Sequence, residues 1–344
     1  LSGPQNAVPS GVAAVFSNQD ATHAEWCADR AATTLGDRSA YAVWTWRPSQ
    51  RHDECKGVVN EARRGRTTFD TGSANAPVID AIYRHPQDYD LEHDGDGRDV
   101  EFYRQLVARL DARRVLELAC GSGRLTLPLG DGAAGHELGE IVGVELSEDM
   151  LNLARRKLDE MDAAVQRRIR FEAGDMRTWS ADRTFDLVLL GCSTITHLLT
   201  LEDRLAVWRR ACQHLAPGGR FIVDVTMPDI RMYAASLESP PRALVEIDLD
   251  RRDESSGERL LRSKTTTYDA FTQRASIRFI YDKFAHNRPV DRYVSDFESY
   301  VYSPSELRLL FMCTGFDVEA VWADYRFREP RSGSREIIMV GRRR

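Results

Sequence analysis

The stretch Val115–Gly123 reads VLELACGSG, an apolar run interrupted by one carboxylate, Glu117, and then broken into small residues. An acid inside a core strand is costly unless a cation or hydrogen-bond donor answers it. Either Glu117 is a satisfied structural acid in a strand that ends at an ordinary turn, or Glu117 and the turn jointly hold a ligand with a cationic group. Three further side chains invite the same question. Glu145 stands near the end of EIVGVEL, Asp175 ends RIRFEAGD, and His197 follows FDLVLLGC in the segment CSTITHLL.

The elements that must position these groups alternate. RRVLELAC, EIVGVEL, RIRFEAGD, FDLVLLGC and RFIVDVT read as strands. GSGRLTLPL opens a helix, and SEDMLNLARRKLDEM is another, with Ser147 as N-cap and Met150, Leu151, Ala154 and Leu158 on one face. LEDRLAVWRRACQHL is a third helix, stopped by APGG. This alternation predicts an α/β fold with a doubly wound parallel sheet, whose ligands sit at the carboxyl ends of the strands. Ahead of it, GRDVEFYRQLVARL carries Val100, Tyr103, Leu106, Val107 and Leu110 at helical spacing. After the fifth strand, RALVEIDLD, ERLLRSKTTTYD, RASIRFIYDKFAH and RYVSDFESYVY are strand-like without intervening helices, which predicts an antiparallel insert. SPSELRLLFMCTGF then reads as a capped helix, with DVEAVWADY and REIIMVGRR as the last two strands. The expected division is an N-terminal extension over 1–78, a core over 79–230 and 301–344, and the β insert over 231–300. The extension, with Trp26, Trp44 and Trp46 as apolar anchors, reads as a lid or accessory segment, and the insert as an acceptor lid or a dimer interface.

Composition excludes several functions. A net charge of -6 over 344 residues leaves no cationic excess for nucleic acid or an anionic membrane. No apolar run is long enough to span a bilayer, and the N-terminus lacks the pattern of a signal peptide. The six cysteines form no CxxC pair, which favours a reduced, cytoplasmic setting, although Cys27 and Cys55 could pair elsewhere. Asp94 and Asp96 lack the remaining ligands of a calcium loop and read as a turn. The histidines show no metal-binding spacing, so no catalytic metal is expected.

The ligand follows from the acid. A dinucleotide fingerprint fails because Thr126 stands where the third glycine belongs, and a carboxylate beside the turn would repel a pyrophosphate. No G-K-[ST] follows, which excludes a Walker A loop. S-adenosylmethionine carries an ammonium, a sulfonium and an adenosine. Glu117 would draw its cationic end, directly or through water, while the Gly121 and Gly123 backbone approaches the methionyl portion without an intervening Cβ. Glu145 is placed for the ribose hydroxyls, Met150 for the adenine face, and Asp175 for the exocyclic amine.

From Asp99 to Arg344 the chain resembles the class I S-adenosylmethionine-dependent methyltransferases. ELACGSG matches the first motif, with Ala119 and Cys120 replacing the usual first glycine and its neighbour. VGVELSEDML, EAGDM, FDLVLLGCSTITHL and LAPGGRFIVDV match the motifs that follow. The resemblance implies a seven-stranded Rossmann-like sheet whose last strand is antiparallel. It extends the cofactor set to Tyr89, Ala119, Leu146, Gly174, Met176 and Gly191, beside Glu117, Gly121, Gly123, Glu145, Met150 and Asp175. His197 falls where the family places groups beside the transferred methyl. It is the candidate catalytic residue, acting as a base or orienting the acceptor, against a plain reading as a backbone-bonded helix-end histidine. Thr194 and Thr196 could simply cap that segment, and Tyr83 and Tyr89 resemble tyrosines that close over the methionyl end. A narrower resemblance is to bacterial small-molecule N-methyltransferases that modify amino sugars or peptide antibiotics. It implies a small-molecule amine acceptor, with O- or C-methylation using His197 as base as the alternative. A nicotinamide oxidoreductase and a non-catalytic cofactor-binding regulator are more distant. A nucleic-acid methyltransferase would carry N/D-P-P-Y/F where Gly191-Cys192-Ser193-Thr194 stands. A homodimer is left open.

Overall fold

The structure is a computed structural model that describes residues 80–93, 97–132, 136, 138–238, 242–253 and 256–344. The expectations for the extension 1–78, for Cys27 and Cys55, and for the Asp94–Asp96 turn lie outside the described residues.

Strands β1 (Arg114–Leu118), β2 (Glu140–Glu145), β3 (Ile169–Ala173), β4 (Phe185–Leu190), β5 (Leu215–Thr226), β10 (Phe316–Trp322) and β11 (Glu336–Arg343) form one sheet in the order β10-β11-β5-β4-β1-β2-β3. β11 lies between β5 and β10 and is antiparallel to both, while the β1, β2, β3, β4 and β5 pairings are parallel. The sheet is buried on both faces, so its central strands are apolar runs rather than alternating ones. One face packs Leu116, Val142, Val188 and Val223 with Trp208 of α6 (Leu201–His214) and Phe311 of α8 (Pro304–Cys313). The other packs Val115, Ile141, Leu187 and Ile222 with Phe102 and Leu106 of α2 (Arg98–Arg109).

Local capping sets the helix starts. Ser147 accepts from the Met150 N–H at the head of α4 (Glu148–Asp159), Thr200 from Asp203 on α6, and Ser303 from Glu306 on α8. The APGG segment is not a loop after α6. It belongs to β5, where Gly218 takes φ +75 and the β4–β5 register shifts between Phe185 and Leu187. Three short helices were not apparent from periodicity: α1 (Pro86–His93), α5 (Ala163–Gln166) and α7 (Ile230–Ala234). The helix after the glycine turn, α3 (Thr126–Asp131), is only six residues long.

The insert is a separate four-stranded antiparallel sheet of β6 (Leu244–Arg252), β7 (Glu258–Asp269), β8 (Arg274–Ala285) and β9 (Arg288–Tyr300), in that order. Helix α1 ties this sheet to the core. Asp88 meets Lys283 Nζ at 2.8 Å and Tyr293 Oη at 3.0 Å, and Glu92 meets Arg262 at 2.9 Å. On its other side, Asp90 pairs with Lys157 of α4 and accepts from Ser122 of the glycine turn.

Candidate active site

The carboxyl ends of β1, β2, β3 and β4 converge on a cavity of about 190 Å³. At its floor the chain after β1 bends through left-handed backbone, with φ 54 at Ala119, 58 at Gly121 and 78 at Gly123. Gly121 needs its missing side chain, because a Cβ there would come within 3.2 Å of Met150 Cε. Gly123 is small for packing instead: its Cβ would meet Phe171 at 2.9 Å. Ala119 bears a Cβ in the same backbone region, a local strain of order 1 kcal/mol that the surrounding turn must hold.

Glu145, at the end of β2, spans the turn. Its Oε2 accepts from the Gly121 N–H at 2.9 Å, and its Oε1 from Leu146 at 2.9 Å and Ser147 at 2.8 Å. Burial raises its carboxyl above the ordinary range, against these hydrogen bonds. Leu146 and Met150 line the same wall. Past β3, Gly174, Asp175 and Met176 form the next wall, and a Cβ at Gly174 would strike Trp179 at 2.7 Å. The Arg177 guanidinium meets Asp175 at 2.6 Å and Asp203 of α6 at 2.9 Å. Burial opposes ionisation of Asp175, but Arg177 outweighs it and holds the carboxyl below its usual range.

The opposite end is built from Asp80, Tyr83, Tyr89, Thr194 and His197. His197 ends a 3-10 turn over Thr194–His197 that follows two left-handed residues, Cys192 and Ser193. Asp224 of β5 anchors this turn by accepting from Ser193 N–H at 2.8 Å and from the Tyr103 hydroxyl. His197 Nε2 is 3.0 Å from the Tyr83 hydroxyl, and its Nδ1 is 3.5 Å from Asp80. Phe297 of the insert lies with its ring centroid 5.7 Å from the imidazole. Burial lowers the His197 pKa to about 4 and raises the Asp80 carboxyl to about 6.

The structure thus brings Tyr89, Ala119, Gly121, Glu145, Leu146, Met150, Gly174, Asp175, Met176 and His197 to one cavity. Glu117, Gly123 and Gly191 stand behind its lining. Glu117 is buried on the α3 side of β1, where it accepts from Thr126 Oγ1, and burial pushes its carboxyl up to about 8. Gly191 sits beneath the post-β4 turn, where a Cβ would lie 3.4 Å from Asp224. Sequence reasoning missed Asp80, Ser147, Arg177, Leu198 and Asp203. Arg177 had one available signal, its place two residues after Asp175. A much larger open groove, lined by Arg98, Arg109, Arg251 and Arg326, contains none of the predicted residues.

Residues 115–219 match a family described as a methyltransferase domain. The cypemycin N-terminal methyltransferase of a Streptomyces species is 26% identical, over 67% of this chain and 83% of its own length. The dTDP-3-amino-3,4,6-trideoxy-alpha-D-glucopyranose N,N-dimethyltransferase of Streptomyces venezuelae is 33% identical, over 41% of this chain and 56% of its own length. The solved structure of the CcbJ methyltransferase from Streptomyces caelestis shares the fold, with a TM-score of 0.58 and 24% identity over 73% of this chain and 97% of that one. Residues 115–219 carry a methyltransferase domain, and over most of its length the chain is similar to S-adenosylmethionine-dependent methyltransferases. The residues fit that cofactor: the Gly121 cradle is one a Cβ would fill, and an unspent acceptor position on Glu145 Oε2 borders the cavity.

Proposed function

We propose that the enzyme N-methylates a small-molecule amine of secondary metabolism, and that His197 orients the acceptor rather than deprotonating it. The observation that carries this reading is the state of His197. Its imidazole is held neutral by burial, with a pKa of about 4, and its Nε2 is engaged by Tyr83. So weak a base is poorly matched to a hydroxyl or carbon acid, whereas an amine needs only a free lone pair. The names of the relatives support the same class, one acting at a peptide N-terminus and another on an amino sugar.

In this reading the bound cofactor supplies an activated methyl group. Glu145 would hold the ribose, Met150 would lie against the adenine, Asp175 would face the exocyclic amine, and Glu117 would back the turn beneath the methionyl end. Tyr83 and Tyr89 exclude water from the reacting end, where positioning supplies much of the rate. The insert covers the acceptor, as Phe297 beside His197 suggests. A second copy would pair through the outer face of that sheet, where Val245, Ile247 and Val294 are exposed, and sedimentation equilibrium decides it. Free thiols at Cys120, Cys192, Cys212 and Cys313 suit a cytoplasmic setting. The functional test is methyl transfer to an amino-sugar nucleotide and to its hydroxyl counterpart. Transfer to the amine alone is expected, and transfer to the hydroxyl alone would replace this reading with O-methylation.

A further inference from the structure

We propose that Asp80 binds the acceptor: its carboxylate seats the ammonium form of the incoming amine beside His197 and takes the proton that the nitrogen must lose. The inference rests on the amine reading above and names the residue that would select for it.

Asp80 is the residue before the 3-10 turn Ala81–Arg84, yet its side chain makes no capping hydrogen bond, so the carboxylate is not spent on the helix start. It is 10% exposed and lines the cavity at the His197 end. Among the described residues its side-chain partner is His197 Nδ1 at 3.5 Å, on a ring whose other nitrogen already faces Tyr83. The cavity wall carries four carboxylates, Asp80, Glu145, Asp175 and Asp203, against one guanidinium, Arg177. Arg177 is committed to Asp175 and Asp203, and Glu145 accepts backbone N–H groups. Among the described residues, Asp80 is therefore the lining carboxylate that has neither a Lys or Arg partner nor backbone N–H donors. A nearly buried carboxylate in that position is unfavourable for the fold and is answered by a cation that arrives with the substrate.

An alcohol brings no such charge; an alkylammonium does. The proton step balances within the pair. An N–H bond of the ammonium breaks with its electron pair left on nitrogen, an O–H bond forms on Asp80, and ammonium plus carboxylate become neutral amine plus carboxylic acid. The raised affinity of Asp80 for protons, to about 6 through burial, suits a group that is ionised near neutral pH and can still receive a proton.

Sinefungin, in which a carbon-borne ammonium replaces the methylated sulfonium, presents a cation at this end without any acceptor. Isothermal titration would measure its affinity and that of S-adenosylhomocysteine for wild type, Asp80→Asn and Asp80→Glu. Asp80→Asn should bind S-adenosylhomocysteine like wild type and sinefungin about tenfold or more weakly, with Asp80→Glu recovering part of the loss. Unchanged sinefungin affinity in Asp80→Asn overturns the assignment, as does parallel weakening of both ligands, which would mark a structural role. Failure of wild type to bind either ligand removes the cofactor end itself and the inference with it. The amine reading fails separately, in the paired transfer assay, while the sinefungin ratio reports on Asp80 alone.

Discussion

The Tyr83 hydroxyl lies 3.0 Å from His197 Nε2 across 114 residues of chain. This contact joins the segment before α1 to the turn after β4, the two pieces that close the reacting end of the cavity. It also occupies the imidazole nitrogen that a hydroxyl-activating base would need free, while Nδ1 faces Asp80.

His197→Ala should therefore reduce methyl transfer to an amine by about tenfold or less, below the two to four orders of magnitude typical of a lost general base. With its pKa lowered to about 4 from 6.5, the ring is neutral at every pH well above 4. Wild type and variant should thus give rate–pH profiles of the same shape from about pH 5 upward. Stopped-time assays across that range check this. A wild-type inflection that disappears in the variant would restore His197 as a base.

The Asp90 contacts make a second prediction. Asp90 pairs with Lys157 and accepts from Ser122, pinning the helix that carries Tyr89 over the glycine turn. Asp90→Asn should speed cofactor dissociation several-fold, read by stopped-flow displacement. High salt should narrow the gap, because both side chains of the pair are partly exposed and screened. An off-rate equal to wild type at low salt would show that α1 does not gate the cofactor.

Much of this site was visible in the sequence because the sheet is regular. Glu145 ends β2 and Asp175 lies just past β3, strands whose partners are fixed by the alternation of strand and helix, so their convergence follows from the fold class. The insert strands were equally legible from their period. Asp80 was not, since nothing in its neighbours marks it. It reaches His197 because the 3-10 turn packs on β9, where Ser295 Oγ accepts from Ile82 N–H at 3.4 Å. The Arg177–Asp203 pair likewise joins residues on different elements, and no local pattern encodes that distance. The length of β5 differs from the sequence reading because the strand begins at Leu215, before a bulge: its pairing with β4 passes from Leu215 to Arg220, and Pro217 and Gly218 keep their turn preference between them.

Glu145→Gln gives a third prediction. The amide oxygen can still accept from the turn, but the carboxylate offered to the ribose is lost. Affinity for S-adenosylmethionine should fall about tenfold, roughly 1.4 kcal/mol. The loss should be smaller for the 2′-deoxyribose analogue, measured by titration calorimetry. Equal losses for both ligands would mean that Glu145 serves the turn and not the ribose.

Glu117 makes the last prediction, because its burial has a sign that can be measured. The folded pKa of about 8 lies above the 4.5 of an ordinary glutamate, so burial favours the protonated acid. Its contribution to stability is fully present below pH 4.5 and is lost as pH rises through 8. Glu117→Gln keeps the shape and the Thr126 contact while removing the titration. At pH 8 the cofactor-free variant should be more stable than wild type, by on the order of a few kcal/mol, and the difference should close in acid. A cofactor ammonium near this acid would draw it back to the ionised form. Wild type should then release a proton when S-adenosylmethionine binds at neutral pH, and Glu117→Gln should release less. Calorimetry in two buffers of different ionisation enthalpy counts those protons, and identical release by both proteins would separate Glu117 from the cofactor.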